Sequence, residues 1–252
     1  MIVEAKDVEK SDRIATVGKL RILKTEKPCL KDFLIDNKTE NINYEFGPQL
    51  SYLIGAMLGD GYSGAETDNR EIFYKGSPTI VGRDNQIFTQ VETACKMLNI
   101  SIRKSKTYNG TPQLVLGKNK WFREFLVRCG VEKGKRKYIS PKLLEMNLES
   151  VTWLLRGLFD TDGYVQTNRN IGISSISENL VNQIQKALLR FVIVTIIRRR
   201  NASIMKIYEK EYATLPCFEL TITQKKSIID FYKYIVFTVG RLQDVLINLV
   251  AR

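Results

Sequence analysis

Residues 53–62 read LIGAMLGDGY, and residues 155–164 read LRGLFDTDGY. Both stretches are largely apolar and close on Asp-Gly-Tyr, and their acids, Asp60 and Asp162, lie 102 positions apart. This spacing is too long for the unit of a solenoid protein, which runs about 20 to 50 residues. The repetition instead predicts two similar halves related by a pseudo-two-fold axis.

The segments that follow the two stretches repeat as well. Their apolar periods predict the order helix, two strands, helix, two strands, helix, once in residues 51–149 and again in residues 150–252. We therefore predict an α+β fold with two pseudo-symmetric αββαββα halves. In the first half, the strands after the apolar helix are predicted at EIFYKG (71–76) and PTIVG (78–82).

Residues 1–50 precede the repeat and do not match it. RIATVGKLRIL (13–23) has the β-branched residues typical of strands, and CLKDFLIDN (29–37) favours a short helix. We expect this N-terminal accessory segment to pack as a layer of the fold rather than to form an independent domain.

The net charge indicates a polyanionic partner. The chain carries +12, and this whole excess falls in residues 51–252, divided equally between the two halves. A basic surface of this size binds nucleic acid by releasing condensed counterions. An acidic membrane is the weaker alternative, because no basic amphipathic helix or lipidation motif stands out. Without a signal peptide or a long apolar run, we expect a soluble, intracellular protein with no membrane partner.

Histidine is absent from the chain, which narrows the possible chemistry. Ser-His-Asp and Cys-His catalysis, His-Asn-His nucleases, zinc deaminases and self-splicing all use histidine. The four cysteines form no C-x-x-C pair, so a zinc site is not expected and the thiols should be reduced. Catalysis would have to use carboxylates, lysines, hydroxyl groups or a metal ion.

Small residues recur along one face of both apolar helices. Gly55 and Gly59 are four positions apart, and Gly157 and Thr161 take the matching places. Small residues at this spacing let two helix backbones approach closely. We therefore predict that the two helices pack in parallel at the pseudo-two-fold axis, which would bring Asp60 and Asp162 side by side at their ends.

Two carboxylates at helix C-termini would repel each other unless they bind cations. Carboxylates, backbone carbonyls and water form the oxygen-rich environment that Mg²⁺ prefers. A single Asp-Gly after an apolar helix is more often a structural turn, but two copies in matching basic halves favour a paired metal site. Such a site would support two-metal hydrolysis of phosphodiesters.

The two motifs, LIGAMLGDG (53–61) and LRGLFDTDG (155–163), resemble the signature motifs of the LAGLIDADG homing endonucleases. The second is a close match, whereas the first diverges at Leu58 and Gly59. The resemblance covers residues 51–252 and leaves residues 1–50 unexplained.

The resemblance implies a fold and an activity. Each half would present antiparallel strands to double-stranded DNA, and together they would form a saddle with the motif helices at its centre. The family cuts both strands of a long asymmetric site with Mg²⁺ and leaves 3′ overhangs. Mn²⁺ is the alternative ion. Members with two motifs in one chain act as monomers.

The resemblance also assigns site residues. The metal-binding acid of the motif falls on Asp60 and Asp162, while Asp160 occupies a letter that is not a ligand. The backbone carbonyl groups of the preceding residues, Gly59 and Thr161, are also expected to bind the metal.

A basic residue before the last helix of each half is also expected near the metal site. Lys137 fits this position, with Lys135 as the alternative, and Arg241 takes the place in the second half. The alternative interpretation of the run GKRK (134–137) is a solvated loop that contacts phosphate.

Candidate DNA-binding residues lie on matching strands or at their ends. Alternating side chains on such strands can contact bases or phosphates, although a solvated edge strand explains them too. These residues are Arg103, Lys104, Lys106, Lys118, Arg198, Arg199, Arg200 and Gln224.

Two other functions fit the same scaffold. One is a maturase whose partner is intron RNA, and the other is a DNA-binding regulator that does not cleave. The retained acids argue against lost cleavage, and no clear helix-turn-helix supports a regulator.

Overall fold

The computed structural model describes residues 29–34, 44–69, 71–167, 169–207 and 210–251. Its α-helices are α1 Pro48–Asp60, α2 Asn85–Met97, α3 Lys120–Arg128, α4 Pro141–Leu144, α5 Leu148–Asp162, α6 Glu178–Leu189, α7 Lys225–Tyr234 and α8 Gly240–Val250. Its strands are β1 Gly61–Tyr62, β2 Ala65–Asp68, β3 Glu71–Tyr74, β4 Thr79–Val81, β5 Ile102–Lys106, β6 Pro112–Leu116, β7 Gly163–Gln166, β8 Asn170–Ser175, β9 Ile196–Arg200, β10 Ile204–Ile207, β11 Lys210–Ala213 and β12 Cys217–Ile222. Short 3-10 helices span Leu30–Phe33 and Gly134–Arg136.

Two four-stranded sheets carry the same topology. Their strand orders are β1-β4-β6-β5 and β7-β8-β12-β9, and all neighbouring strands are antiparallel. Each sheet begins directly after a motif helix, since β1 follows α1 and β7 follows α5 without a loop. The predicted α+β class with two pseudo-symmetric halves is confirmed.

Each half also contains a hairpin outside its main sheet, β2–β3 in the first and β10–β11 in the second. The strand predicted at EIFYKG (71–76) is present as Glu71–Tyr74, but it lies in this hairpin rather than in the main sheet. Glu71–Tyr74 pairs with Ala65–Asp68, and the first sheet strand is the short Gly61–Tyr62 instead. The sequence pattern of Glu71–Tyr74 indicates an extended segment, but alternation alone does not specify which strand it pairs with.

Helices α1 and α5 pack backbone to backbone at the centre. A Cβ atom at Gly55 would overlap the carbonyl group of Leu154, and one at Gly157 would overlap that of Tyr52. Gly59 lies against the Thr161 side chain. The Ser150 hydroxyl donates to the Phe46 carbonyl near the starts of the two helices, and Gly59 meets Thr161 near their ends, so the helices run in the same direction. The predicted parallel packing on small residues is confirmed.

The apolar sequence of helix α1 agrees with its burial, because Leu50 through Gly59 are all buried. Within the ranges that the structure describes, no helix has the length and hydropathy needed to cross a membrane.

The described part of the N-terminal segment packs on α3. Leu30, Phe33 and Phe46 are buried, and the rings of Phe33 and Phe46 lie 5.8 and 5.9 Å from that of Phe125. The helix predicted at 29–37 is the shorter 3-10 helix Leu30–Phe33 within the described residues. The predicted strand region 13–23 lies outside the described residues.

Replacing Gly55 or Gly157 with alanine should destabilise the protein by about 3 kcal/mol, because the new methyl group would meet backbone of the opposite helix that cannot move aside. Thermal unfolding followed by circular dichroism would measure the loss. Gly76→Ala is the matched control, since a Cβ atom there would have no neighbour within 4 Å. Equal melting temperatures for all three variants would contradict the close approach of the helices.

Candidate functional site

Two acids lie together at the ends of the central helices. Asp60 ends α1 and Asp162 ends α5. Gly59 faces Thr161, and a Cβ atom at Gly59 would come within 3.5 Å of the Asp162 carboxyl carbon. Asp60 is exposed and Asp162 is half-buried, so the pair is open to ligands from solvent.

The two carboxyl groups share one electrostatic environment. Loss of hydration raises the pKa of Asp60 to about 6, and the charge of Asp162 adds to this effect. Burial likewise raises the pKa of Asp162. The positive charge of Lys137 opposes both shifts. The pair therefore carries repulsion that a bound cation would relieve.

Lys137 approaches the acids from the connection between α3 and α4. Its Nζ donates a hydrogen bond to the Gly59 carbonyl. Burial lowers the pKa of Lys137, while the charges of Asp162 and Asp60 raise it. The Ser177 hydroxyl donates to the Lys137 carbonyl over 2.6 Å, which anchors the lysine to the start of α6. Thus Lys137 joins the cluster that the sequence predicted.

The other predicted basic residues lie elsewhere. Arg241 donates two hydrogen bonds to the Asp84 carboxylate, at 2.9 and 3.3 Å, and its side chain is 64% exposed. Lys135 is exposed and lines a cavity beside α6. Neither is among the charges that act on Asp60 or Asp162. Only Lys137 of the predicted basic residues is brought to the acids.

The carboxylate of Asp160 lies away from solvent and links several parts of the fold. It is buried and accepts hydrogen bonds from the Tyr52 hydroxyl at 2.8 Å and from the Thr238 and Val239 amides at 2.9 and 3.4 Å. These bonds tie α1 and α5 to the segment before α8. Both carboxylate oxygens of Asp160 therefore accept hydrogen bonds from within the protein.

The donor set at the acids fits a hard divalent cation. It consists of the Asp60 and Asp162 carboxylates with the carbonyl groups of Gly59 and Thr161 at the helix ends. The Thr161 hydroxyl is engaged with carbonyls of its own helix, at 2.9 and 3.1 Å. Among the described residues, no three His, Cys, Asp or Glu side chains gather at one point. A metal ion here would depend on the acid pair, backbone oxygens and water.

Strand register divides the candidate DNA-binding residues between two faces. Paired residues of antiparallel strands share a face, and successive residues alternate. Arg103 pairs with the half-buried Val115 of β6, and Arg198 pairs with Glu219 of β12. The neighbouring positions of β6 and β12 hold the core residues Leu114 and Leu220, which lie on the opposite faces. Arg103, Arg198 and Arg200 therefore lie on the open faces of the sheets.

Lys104, Lys106 and Arg199 lie on the opposite faces, which the helices cover. Lys104 forms an ion pair with Glu92 of α2 at 2.8 Å. Arg199 lines a cavity of about 600 Å³ with Glu178 of α6. Alternation along a strand turns neighbouring side chains to opposite sides, so these three candidates do not share a face with Arg103, Arg198 and Arg200.

The open face of the second sheet contains a network that sequence reasoning missed. The Tyr164 hydroxyl donates to Glu219 at 2.6 Å, and Arg200 pairs with Glu219 at 2.7 Å. The tyrosine of each Asp-Gly-Tyr was the signal that could have identified it, because Tyr62 and Tyr164 start equivalent strands. Lys118 and Gln224 are exposed just beyond the ends of β6 and β12.

In the metal-free protein, we expect the Asp60 carboxyl group to titrate near pH 6. Lys137→Met should raise this pKa, because a neighbouring positive charge is lost. Asp162→Asn should lower it, because a neighbouring negative charge is lost. Side-chain carboxyl NMR over a pH series would measure both. Shifts in the same direction for the two variants would contradict the cluster.

A LAGLIDADG-like domain model matches residues 149–236. The chain is 28% identical over 256 aligned positions to the ATP-dependent DNA helicase Hel308 of Methanocaldococcus jannaschii, covering 92% of this chain and 18% of that protein. It is 31% identical over 198 positions to glutamine–fructose-6-phosphate aminotransferase of the same organism, covering 76% of this chain and 16% of that protein. The chain thus spans less than a fifth of the length of these relatives.

Solved structures of the homing endonuclease I-DmoI share the fold. A set of mesophilic variants matches with a TM-score of 0.53 and 14% identity, covering 76% of this chain and 90% of that one. The complex of I-DmoI with DNA and Mn matches with the same TM-score and identity, covering 75% of this chain and 97% of that one. The second half of the chain is thus similar to the LAGLIDADG-like domain, and about three quarters of the chain shares the fold of I-DmoI.

Proposed function

We propose that this chain is a site-specific endonuclease that cuts both strands of DNA with a divalent metal ion, Mg²⁺ or alternatively Mn²⁺. The observation that carries the proposal is the pairing of Asp60 and Asp162 beside Lys137 at the ends of two packed helices. The fold shared with I-DmoI, which has been solved with DNA and Mn and with DNA and Ca, supports it.

The residues at the centre have distinct roles in this proposal. Asp60 and Asp162, with the carbonyl groups of Gly59 and Thr161, would hold the metal ions. The chemistry that the ions supply when bound is activation of water and neutralisation of phosphate charge. Lys137 would stabilise the charge that develops on the phosphate. Arg241 was also predicted to assist, but it can reach a phosphate only by giving up its bonds to Asp84.

The open faces of the two sheets would bind the duplex, one half-site each. Their basic character suits the phosphate backbone, and their arginines suit guanine. Because the two faces differ in sequence, the site would be long and asymmetric. One chain contains both halves, so a monomer would suffice, and the family resemblance implies 3′ overhangs.

The first experiment is a cleavage assay with Mg²⁺ on a randomised plasmid library, with sequencing of the cut ends. We expect paired ends at one long motif, and none with EDTA. Asp60→Asn and Asp162→Asn should abolish cutting while DNA binding persists, because each variant keeps the size of the side chain but removes its charge.

Two outcomes would redirect the proposal. Normal cutting by both asparagine variants would show that the acids are not the metal site. Enrichment of a bound DNA motif without cut ends would favour a non-cleaving regulator, and enrichment of intron RNA would favour a maturase.

The open-face assignment makes a separate prediction about binding. Arg198→Ala should weaken binding of the cognate duplex about tenfold, because it removes a base or phosphate contact. Arg199→Ala is the control, since it removes the same charge from the same strand but on the helix-covered face. Fluorescence anisotropy in Ca²⁺ would measure both. Equal losses would contradict the assignment.

A further inference from the structure

The open face of the second sheet holds a carboxylate among its arginines. Glu219 of β12 lies in register with Arg198 of β9, and its side chain is only 10% exposed. A cavity of about 250 Å³ beside it is lined by Tyr164, Arg198, Arg200 and Glu219, among others. An acid on a face that binds phosphate would repel it, because like charges repel. Glu219 therefore needs a role that outweighs this cost.

Both carboxylate oxygens of Glu219 are engaged within the protein. Its Oε1 accepts a hydrogen bond from the Tyr164 hydroxyl at 2.6 Å. Its Oε2 accepts from Arg200, from Nε at 2.9 Å and from Nη2 at 2.7 Å. A largely buried carboxylate with both oxygens engaged is poorly placed to contact a base itself. Its contacts instead fix the direction of the Arg200 guanidinium.

The neighbouring strand leaves space for this contact at Gly172. Gly172 of β8 lies across from Tyr164 of β7. A Cβ atom at Gly172 would come within 2.4 Å of both the Cζ and Oη atoms of Tyr164, so the tyrosine ring passes directly over the β8 backbone. A side chain at this position would displace the ring. The tyrosine can therefore cross β8 and reach Glu219 on β12.

The guanidinium of Arg200 keeps an edge for a ligand. It carries five N–H donors, of which the Nε donor and one Nη2 donor face Glu219. The other three lie on Nη1 and Nη2, at the end of the group away from the carboxylate. The Arg200 side chain is 62% exposed, so this end is open to solvent. Two parallel N–H donors match the O6 and N7 acceptors of guanine in the major groove.

We infer that Arg200 recognises one guanine of the target duplex, and that Glu219, held by Tyr164, is the positioning residue for this preference and does not contact the DNA. The inference rests on the DNA binding in the proposed function and does not depend on cleavage. Fixing the guanidinium before binding reduces the side-chain entropy that binding would cost. Loss of the Glu219 charge should therefore reduce base discrimination, but it should not weaken non-specific binding, since a negative charge leaves a basic face.

The test uses the full chain with Ca²⁺ in place of Mg²⁺ and a randomised duplex library, with sequencing of the bound fraction. We expect one target position at which guanine is preferred and at which Arg200→Ala lowers the preference about tenfold. Glu219→Gln should lower it about threefold or more at the same position, because an amide is a weaker partner for the guanidinium. Tyr164→Phe should give a smaller loss there.

A double variant separates positioning from direct contact. Adding Glu219→Gln to Arg200→Ala should cause no further loss of preference, because Glu219 acts through Arg200. Glu92→Gln is the matched control. It makes the same change in a carboxylate that pairs with a basic strand residue, Lys104, but on the helix-covered face. It should leave the whole preference profile unchanged.

Three results would overturn the inference. They are an unchanged profile for Glu219→Gln, a change at a different position from that of Arg200→Ala, and a further loss in the double variant. Duplexes that are enriched but never cut with Mg²⁺ would contradict the proposed nuclease, while the expected profiles would still support the inference. Failure of the unmodified protein to enrich any duplex would contradict DNA binding, and the inference with it.

Discussion

The close approach of two helix backbones is the constraint on which the rest of this structure depends. Gly55 and Gly157 leave no side chain between α1 and α5, so each helix packs directly on the peptide groups of the other. This contact fixes the distance between the halves and brings Asp60 and Asp162 to one place. It also fixes the sheets, because β1 and β7 continue from the ends of the same helices without a loop.

Much of this arrangement could be predicted from the sequence, because it is encoded locally. The spacing of small residues predicted the helix contact, and the repeated Asp-Gly-Tyr predicted the acid pair. The motif glycines Gly61 and Gly163 have ordinary extended backbones, with φ of −93° and −80°, so no special turn conformation requires them. Glycine is required there for another reason: a Cβ atom would collide with Met57 or Phe159 one turn earlier.

The features that could not be predicted from the sequence depend on long-range partners. A run of three arginines at 198–200 indicates a basic strand, but only its register against β12 shows that Arg199 faces α6. Likewise, the position of Arg241 before the last helix suggested an active-site role, and its bonds to Asp84 come from a residue 157 positions away. Local pattern specifies what a segment is, whereas its neighbours decide which way it faces.

The connections before α4 and α8 are unequal in length, which a single polypeptide permits and a symmetric homodimer does not. In a symmetric homodimer, every residue near the axis is encoded once and appears twice, so a lysine loop on one side requires the same loop on the other. Fusion of two copies into one polypeptide removes that requirement. In this chain the two connections do differ: twelve residues lie between α3 and α4 and carry Lys137, whereas five lie between α7 and α8 and donate the bonds to the buried Asp160.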